Sequence, residues 1–191
     1  MQDTNGKFDT FLPTFALYLW IVGIVVFVCI VLIGAGVVNI SVKCFAADSD
    51  GNLYVGLTEQ ILVYSDERVL IRSFSSKTSR DYIFTINEND TILLTTSSQN
   101  YMMDLHGNLL KYEENDPMHQ YPELQDSRTQ FEDVNGNWYK ITDVLGWTKI
   151  VKNDSIVVYQ ITTLSFLVKI SLYFAVISFL FSVRKMINTR R

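Results

Sequence analysis

Asp48-Ser49-Asp50-Gly51-Asn52-Leu53-Tyr54-Val55 spells a tight turn followed by a strand. Asp50-Gly51-Asn52 offers the positive φ that a short hairpin connection needs. The residues after it suit a pleated, half-buried surface. The same text returns twice, as Asn89-Asp90-Thr91-Ile92-Leu93 and as Asn135-Gly136-Asn137-Trp138-Tyr139. Gly51 to Asp90 is 39 residues and Asp90 to Gly136 is 46. Each copy continues through a third strand, a turn and a fourth strand. The first ends Ile61-Leu62-Val63-Tyr64, turn, Val69-Leu70-Ile71. The second ends Tyr101-Met102-Met103-Asp104, turn, Leu109-Leu110. The third ends Thr148-Lys149-Ile150-Val151, turn, Ile156-Val157-Val158-Tyr159.

Working outward, strands are expected at Val42–Ala47, Leu53–Leu57, Gln60–Tyr64 and Val69–Ser73. Four more are expected at Tyr82–Ile86, Thr91–Thr95, Asn100–Asp104 and Leu109–Tyr112. The last four are Thr129–Asp133, Asn137–Thr142, Trp147–Val151 and Ser155–Gln160. Their composition and the turn residues between them are those of short antiparallel strands. A period near 40–45 with four strands per unit is that of propeller blades. The text from Asp48 to Val55 resembles blades of the NHL and two-component-regulator propeller kind. The resemblance covers about Val42 to Gln160, with repeats over 42–79, 80–116 and 129–160. It implies blade-like four-stranded meanders. Typical propellers have about four to eight blades, so three either close on each other or are completed by another chain.

Two apolar runs flank this region. Residues 11–39 carry no Asp, Glu, Lys, Arg or His, and 161–183 carry Lys169 alone. A helix needs roughly 20 apolar residues to cross a bilayer. The expected fold class is therefore a membrane protein, with two transmembrane helices flanking an all-β domain at 40–160. Thr10 is expected to cap the first helix, with Pro13 in its first turn. The first run is much longer than the roughly 7–15 apolar residues of a secretory signal. It reads as a retained signal-anchor, and Gly34-Ala35-Gly36 keeps a cleavage site open as the alternative.

Charge sets the expected orientation. Lys43 to Gln160 holds ten Lys/Arg against eighteen Asp/Glu, so this part does not attract nucleic-acid phosphates. The tail at 184–191 carries Arg184, Lys185, Arg190 and Arg191 and no acid. Positive residues beside a span favour the cytoplasm. Both termini (1–10 and 184–191) are expected there, in a multi-pass protein of the cell membrane whose central domain is extracytoplasmic.

The chemistry expected is sparse. Asp48, Asp50, Asn52 and Glu59 match some ligand places of a calcium loop, but Leu53 stands where its glycine belongs. The flanks also read as strands, so a hairpin turn explains the stretch better. His106 and His119 have no zinc spacing, and His106 precedes the turn residues Gly107-Asn108. Cys29 and Cys44, on a helical path, would be about 22 Å apart, too far for a disulfide. The Asn39, Asn89 and Asn153 triplets match the glycosylation pattern, though two of them fall at turns. There is no nucleophile, phosphate-loop or metal motif, and no cofactor and no enzyme activity are expected.

Two features point to partners. Glu113 to Arg128 reads as one long irregular segment in which Glu113, Glu114, Asp116, Glu123 and Asp126 stand against Arg128 alone. Such a segment is a solvated connector or a contact loop. Lys169, inside the second apolar run, either snorkels toward the surface or pairs with an acidic group of another membrane protein. The expected role is a tethered binding module, an accessory subunit of a membrane complex. Its partners are the bilayer and either another membrane or envelope protein or a second copy. A sensor subunit signalling through a partner is the alternative, and an envelope enzyme ranks third.

Overall fold

The computed structural model of the chain describes residues 5–39, 41–78, 81–114 and 129–189. They form two compact units, a helical pair and a β unit at 41–162.

In the helical unit, α1 runs Asn5–Gly34 and α2 runs Thr163–Thr189. Ala16–Gly34 and Thr163–Arg184 are long and apolar enough to cross a membrane, with mean hydropathies of 3.0 and 2.1. Leu17, Trp20 and Phe27 on α1, and Phe174 and Phe181 on α2, are exposed. A narrow seam joins Cys29 of α1, Val38 just beyond its end and Val168 of α2, with Leu32, Ile33 and Leu172 beside it.

The expected bounds of the first helix need correction at both ends. It starts at Asn5, so Thr10 lies inside it, and Pro13 is carried within the helix at the cost of one backbone hydrogen bond. It stops at Gly34, five residues before Asn39. The cause is Gly36, whose φ of +69° turns the chain out of the helix. The Val37 amide then donates to the Leu32 carbonyl (3.1 Å) and the Gly36 amide to that of Ile33 (3.0 Å). These are the two bonds of a Schellman cap. The small residues at 34–36 thus act here as a stop signal.

Among the described residues, the β unit contains three four-stranded antiparallel sheets. Sheet 1 holds β1 (Cys44–Ala47), β2 (Leu53–Gly56), β3 (Gln60–Tyr64) and β4 (Leu70–Ser75). Sheet 2 holds β5 (Tyr82–Ile86), β6 (Thr91–Thr96), β7 (Gln99–Asp104) and β8 (Leu109–Glu114). Sheet 3 holds β9 (Gln130–Glu132), β10 (Trp138–Val144), β11 (Trp147–Lys152) and β12 (Ile156–Gln160). Each is a simple meander in chain order, the arrangement of a propeller blade. Every sheet also carries a register shift between its third and fourth strands, which increases local twist.

The recurring turns explain why the strands begin where they do. Asp48, Asn87 and Asp133 each stand before the first turn of a sheet. Oδ1 of Asp48 accepts the Asn52 amide at 2.8 Å, and its Oδ2 accepts Asn52 Nδ2 and the Tyr54 hydroxyl. Asp133 does the same for Asn137 and Tyr139. Asn87 accepts the Asn89 and Thr91 amides. Gly51, Asp90 and Gly136 take the positive-φ position in each case. A fourth turn of this kind, Asp104 to Asn108, joins β7 to β8 and places His106 at an exposed turn. The Asp48 oxygens are thus engaged in hairpin hydrogen bonds, and the Asp48–Glu59 stretch continues into β2 and β3.

The core follows from strand alternation. One face of sheet 1 (Cys44, Ala46, Tyr54, Ile61, Val63) packs on the face of sheet 2 bearing Tyr82, Phe84, Ile92 and Leu94. Each large side chain buried there favours the fold by about 1.5–3 kcal/mol relative to exposure. The opposite face of sheet 1 receives sheet 3. Phe45 meets Phe131 at 5.4 Å, and Tyr64 meets Tyr159 at 5.7 Å. With both faces covered, β2 is buried at every residue.

Candidate interaction surface

The three first turns come together at one end of the β unit. The Ser49 hydroxyl donates to Asp90 Oδ2 at 2.7 Å and its amide to Oδ1 at 3.1 Å. Asn135 Nδ2 reaches the Ser49 carbonyl at 3.5 Å. The side chains at this end thus bond one another and fix sheets 2 and 3 against sheet 1. Lys152 adds a second tie, donating to Asp66 of sheet 1 at 2.7 Å. That bond holds the Lys152 ammonium above its ordinary pKa. Burial pushes the Tyr139 hydroxyl up to about 12, with nearby Lys152 opposing the rise and Asp133 adding to it.

Among the described residues, one surface that no sheet covers is the other face of sheet 3. The register puts Lys140, Val151 and Val157 in one row, with Thr142 and Lys149 in the next and Val144 and Trp147 in the last. In sheets 1 and 2 the corresponding faces are buried against a neighbouring sheet. Here Trp138, Lys140 and Val144 are exposed. An open groove of about 430 Å³ runs over Thr142, Val144, Trp147, Lys149, Val151 and Val157. Three valines and an indole line it beside the Lys149 ammonium, and Asp154 and Ser155 complete its rim, a mixture of apolar body and few polar groups.

The residues singled out in the sequence lie elsewhere. Glu113 and Glu114 are the last residues of β8, paired with Asn100 and Gln99. They are strand and not the start of an irregular segment, because the ladder with β7 continues that far. Both are exposed, and Glu113 bridges Lys111 at 2.5 Å. Asp116, Glu123, Asp126 and His119 lie outside the described residues, as do Arg190 and Arg191. Lys169 is half-buried on α2, and Arg184 is exposed near the end of that helix. Lys185 lies on α2 as well. Cys44 is fully buried between sheets 1 and 2, and Cys29 lies in the helical seam. Among the described residues, no group of three or more His, Cys, Asp or Glu could hold a metal.

Sequence reasoning passed over the open face, although a signal for it was present. Val55 follows Gly51 by the same spacing as Lys140 follows Gly136. A lysine where the first copy has a buried valine marks a face that no sheet covers.

No family model and no curated protein sequence matches the chain. Among solved structures, it is similar to a protein of unknown function from Bacteroides caccae, at 10% identity and a TM-score of 0.34, covering 64% of this chain and 46% of that one. It is also similar to a streptogramin B lyase, at 14% identity and a TM-score of 0.28, covering 64% and 42%. The chain spans less than half the length of either. Likeness at that level carries no argument, and the blade-like description rests on the three sheets themselves.

Proposed function

We propose that this chain is a membrane-tethered binding module, an accessory subunit that presents a blade-like β unit outside the cell membrane to another membrane or envelope protein. The role is one of binding and not of catalysis. One observation carries it: the face of sheet 3 bearing Trp138, Lys140, Val151 and Val157 has no sheet packed on it, whereas the equivalent faces of sheets 1 and 2 are buried. The apolar helices at both ends support the tether. The basic residues Arg184, Lys185, Arg190 and Arg191 support cytoplasmic termini, and Lys169 offers a second contact within the membrane.

Two measurements test this reading. A cysteine placed at the exposed turn residue Glu59 is expected to react with an impermeant maleimide in intact cells; reaction only after lysis would refute the topology. A photo-crosslinking amino acid at Trp138 is expected to give one discrete adduct in cells, lost on Val151→Glu. With the topology correct, failure to form an adduct from either position 138 or 140 would refute binding through this face.

A further inference from the structure

The turn between β10 and β11 is unlike its two counterparts. Val144 pairs with Trp147 across a two-residue loop, Leu145-Gly146. Leu145 has φ +52° and Gly146 φ +88°, the signs of a type I′ turn. That turn favours Asn, Asp or Gly at its first central position, and a bulky residue there is a conformational outlier. Leu145 is nevertheless 86% exposed and Val144 beside it 69%. The loop is held firmly: the Gly146 amide donates to Asp143 Oδ1 at 2.7 Å, and the Thr148 hydroxyl to Oδ2 at 2.8 Å. The corresponding turns of sheets 1 and 2 carry Thr58-Glu59 and Ser97-Ser98. Those turns contain no positive-φ residue and so are of another type, but each closes its hairpin with polar residues, and the exposure of Leu145 leaves it no packing role among the described residues.

Chain connectivity says which end of sheet 3 this is. The Ile161 amide donates to the Thr148 carbonyl at 3.1 Å, so the chain leaves the sheet beside the start of β11. Thr163, two residues on, begins the apolar helix α2. Trp147 flanks the tip. Lys149 follows on the same face, set back by about 7 Å at the rise of a strand. An aliphatic tip, then an indole, then an ammonium is the order of chemistry across the edge of a bilayer, from acyl chain to phosphate.

We propose that the Val144-Leu145 tip dips into the interfacial layer of the membrane that α2 crosses, with Trp147 at headgroup level and Lys149 against lipid phosphates. Scattered exposed leucines are ordinary. Two adjacent apolar residues on a rigid, conformationally costly turn, at the exit to an apolar helix, are a different matter. The proposal rests on the membrane reading given above.

The test uses the full chain in phosphatidylcholine–phosphatidylglycerol vesicles, with the buried native cysteines left in place and unlabelled wild type as the blank. An NBD fluorophore is attached in turn to Leu145→Cys, to Thr58→Cys and Ser97→Cys at the other two turns, and to Phe27→Cys in α1. Nitroxide lipids are expected to quench positions 27 and 145 several-fold more than 58 and 97, and aqueous iodide to do the reverse. If position 27 is quenched by lipid while 145 is as open to iodide as 97, this inference is overturned and the membrane reading stands. If 27 is not quenched either, the membrane reading fails and takes the inference with it. As a second measurement, Leu145→Asn is expected to leave the melting temperature in detergent unchanged or higher, because asparagine tolerates this backbone. A lowered melting temperature would mean that Leu145 serves packing within the β unit, and would also overturn the inference.

Discussion

The hydroxyl of Tyr82 donates to the carbonyl oxygen of Leu57 at 2.5 Å, across the junction between sheets 1 and 2. Tyr82 is 1% exposed and opens the first strand of its sheet. Its ring lines the shared core while its polar end satisfies the turn that links β2 to β3. Burial and the neighbouring Cys44 hold the hydroxyl pKa well above its ordinary value, so the group stays a neutral donor. Tyr82→Phe keeps the ring and strands a buried acceptor, at an expected cost of about 1–2 kcal/mol. Chemical unfolding in detergent, followed by near-ultraviolet circular dichroism, measures it. An unchanged midpoint would show that water replaces the hydroxyl.

The same junction constrains Gly56. A Cβ there would lie 2.9 Å from Phe84 Cε1, 3.0 Å from Cys44 Sγ and 3.1 Å from the Tyr82 hydroxyl. Gly56→Ala therefore has to separate sheet 1 from sheet 2, and a destabilisation of about 1–3 kcal/mol is expected. Gly51→Ala makes the contrast. It meets nothing within 4 Å, but its φ is +82°. Its cost, about 1–2 kcal/mol, comes from the backbone alone. The two differ in what rescues them: Phe84→Leu is expected to recover part of the Gly56→Ala loss and none of the Gly51→Ala loss. Equal recovery would contradict this assignment.

A third prediction concerns pH. Lys152 is bound to Asp66, and its pKa is raised in the folded protein by that hydrogen bond. A raised lysine pKa means that the folded state holds the proton more tightly than the unfolded one. The resulting stability is complete below the ordinary lysine value and is lost as pH rises through the raised one. The Asp66 side chain is 65% exposed, so solvent screening limits the pair to about 0.5–1 kcal/mol. Asp66→Asn is expected to lower stability by that amount at neutral pH and to remove this alkaline loss. A stability profile of Asp66→Asn parallel to wild type from neutral to strongly alkaline pH would show that the tie between sheets 1 and 3 contributes nothing.

Most of the strands were legible because their turns are written in side chains that act locally. Asp48 and Asp133 each bond to residues four and six positions ahead, so the signal lies within one short stretch of chain. The end of β8 was missed because Glu113 and Glu114 carry no strand signal of their own. They are held extended by Asn100 and Gln99 on the neighbouring strand. The end of α1 was placed too far along because the apolar run continues past Gly36, and hydropathy does not register a change in the sign of φ. The candidate surface was the least legible feature, since whether a face is covered depends on which sheets become neighbours.

By itself, the sequence determined the two apolar helices, the twelve strands and their grouping in fours. Each depends on the solvent preference or backbone tolerance of residues close together in the chain. Tertiary structure decided that sheet 1 is covered on both faces, that Ser49 ties Asp90 to Asn135, and that one face of sheet 3 is left open beside an apolar tip at Leu145. Those outcomes depend on contacts between residues roughly 40 to 90 positions apart, and the free energy of such contacts is set by geometry that no local pattern encodes.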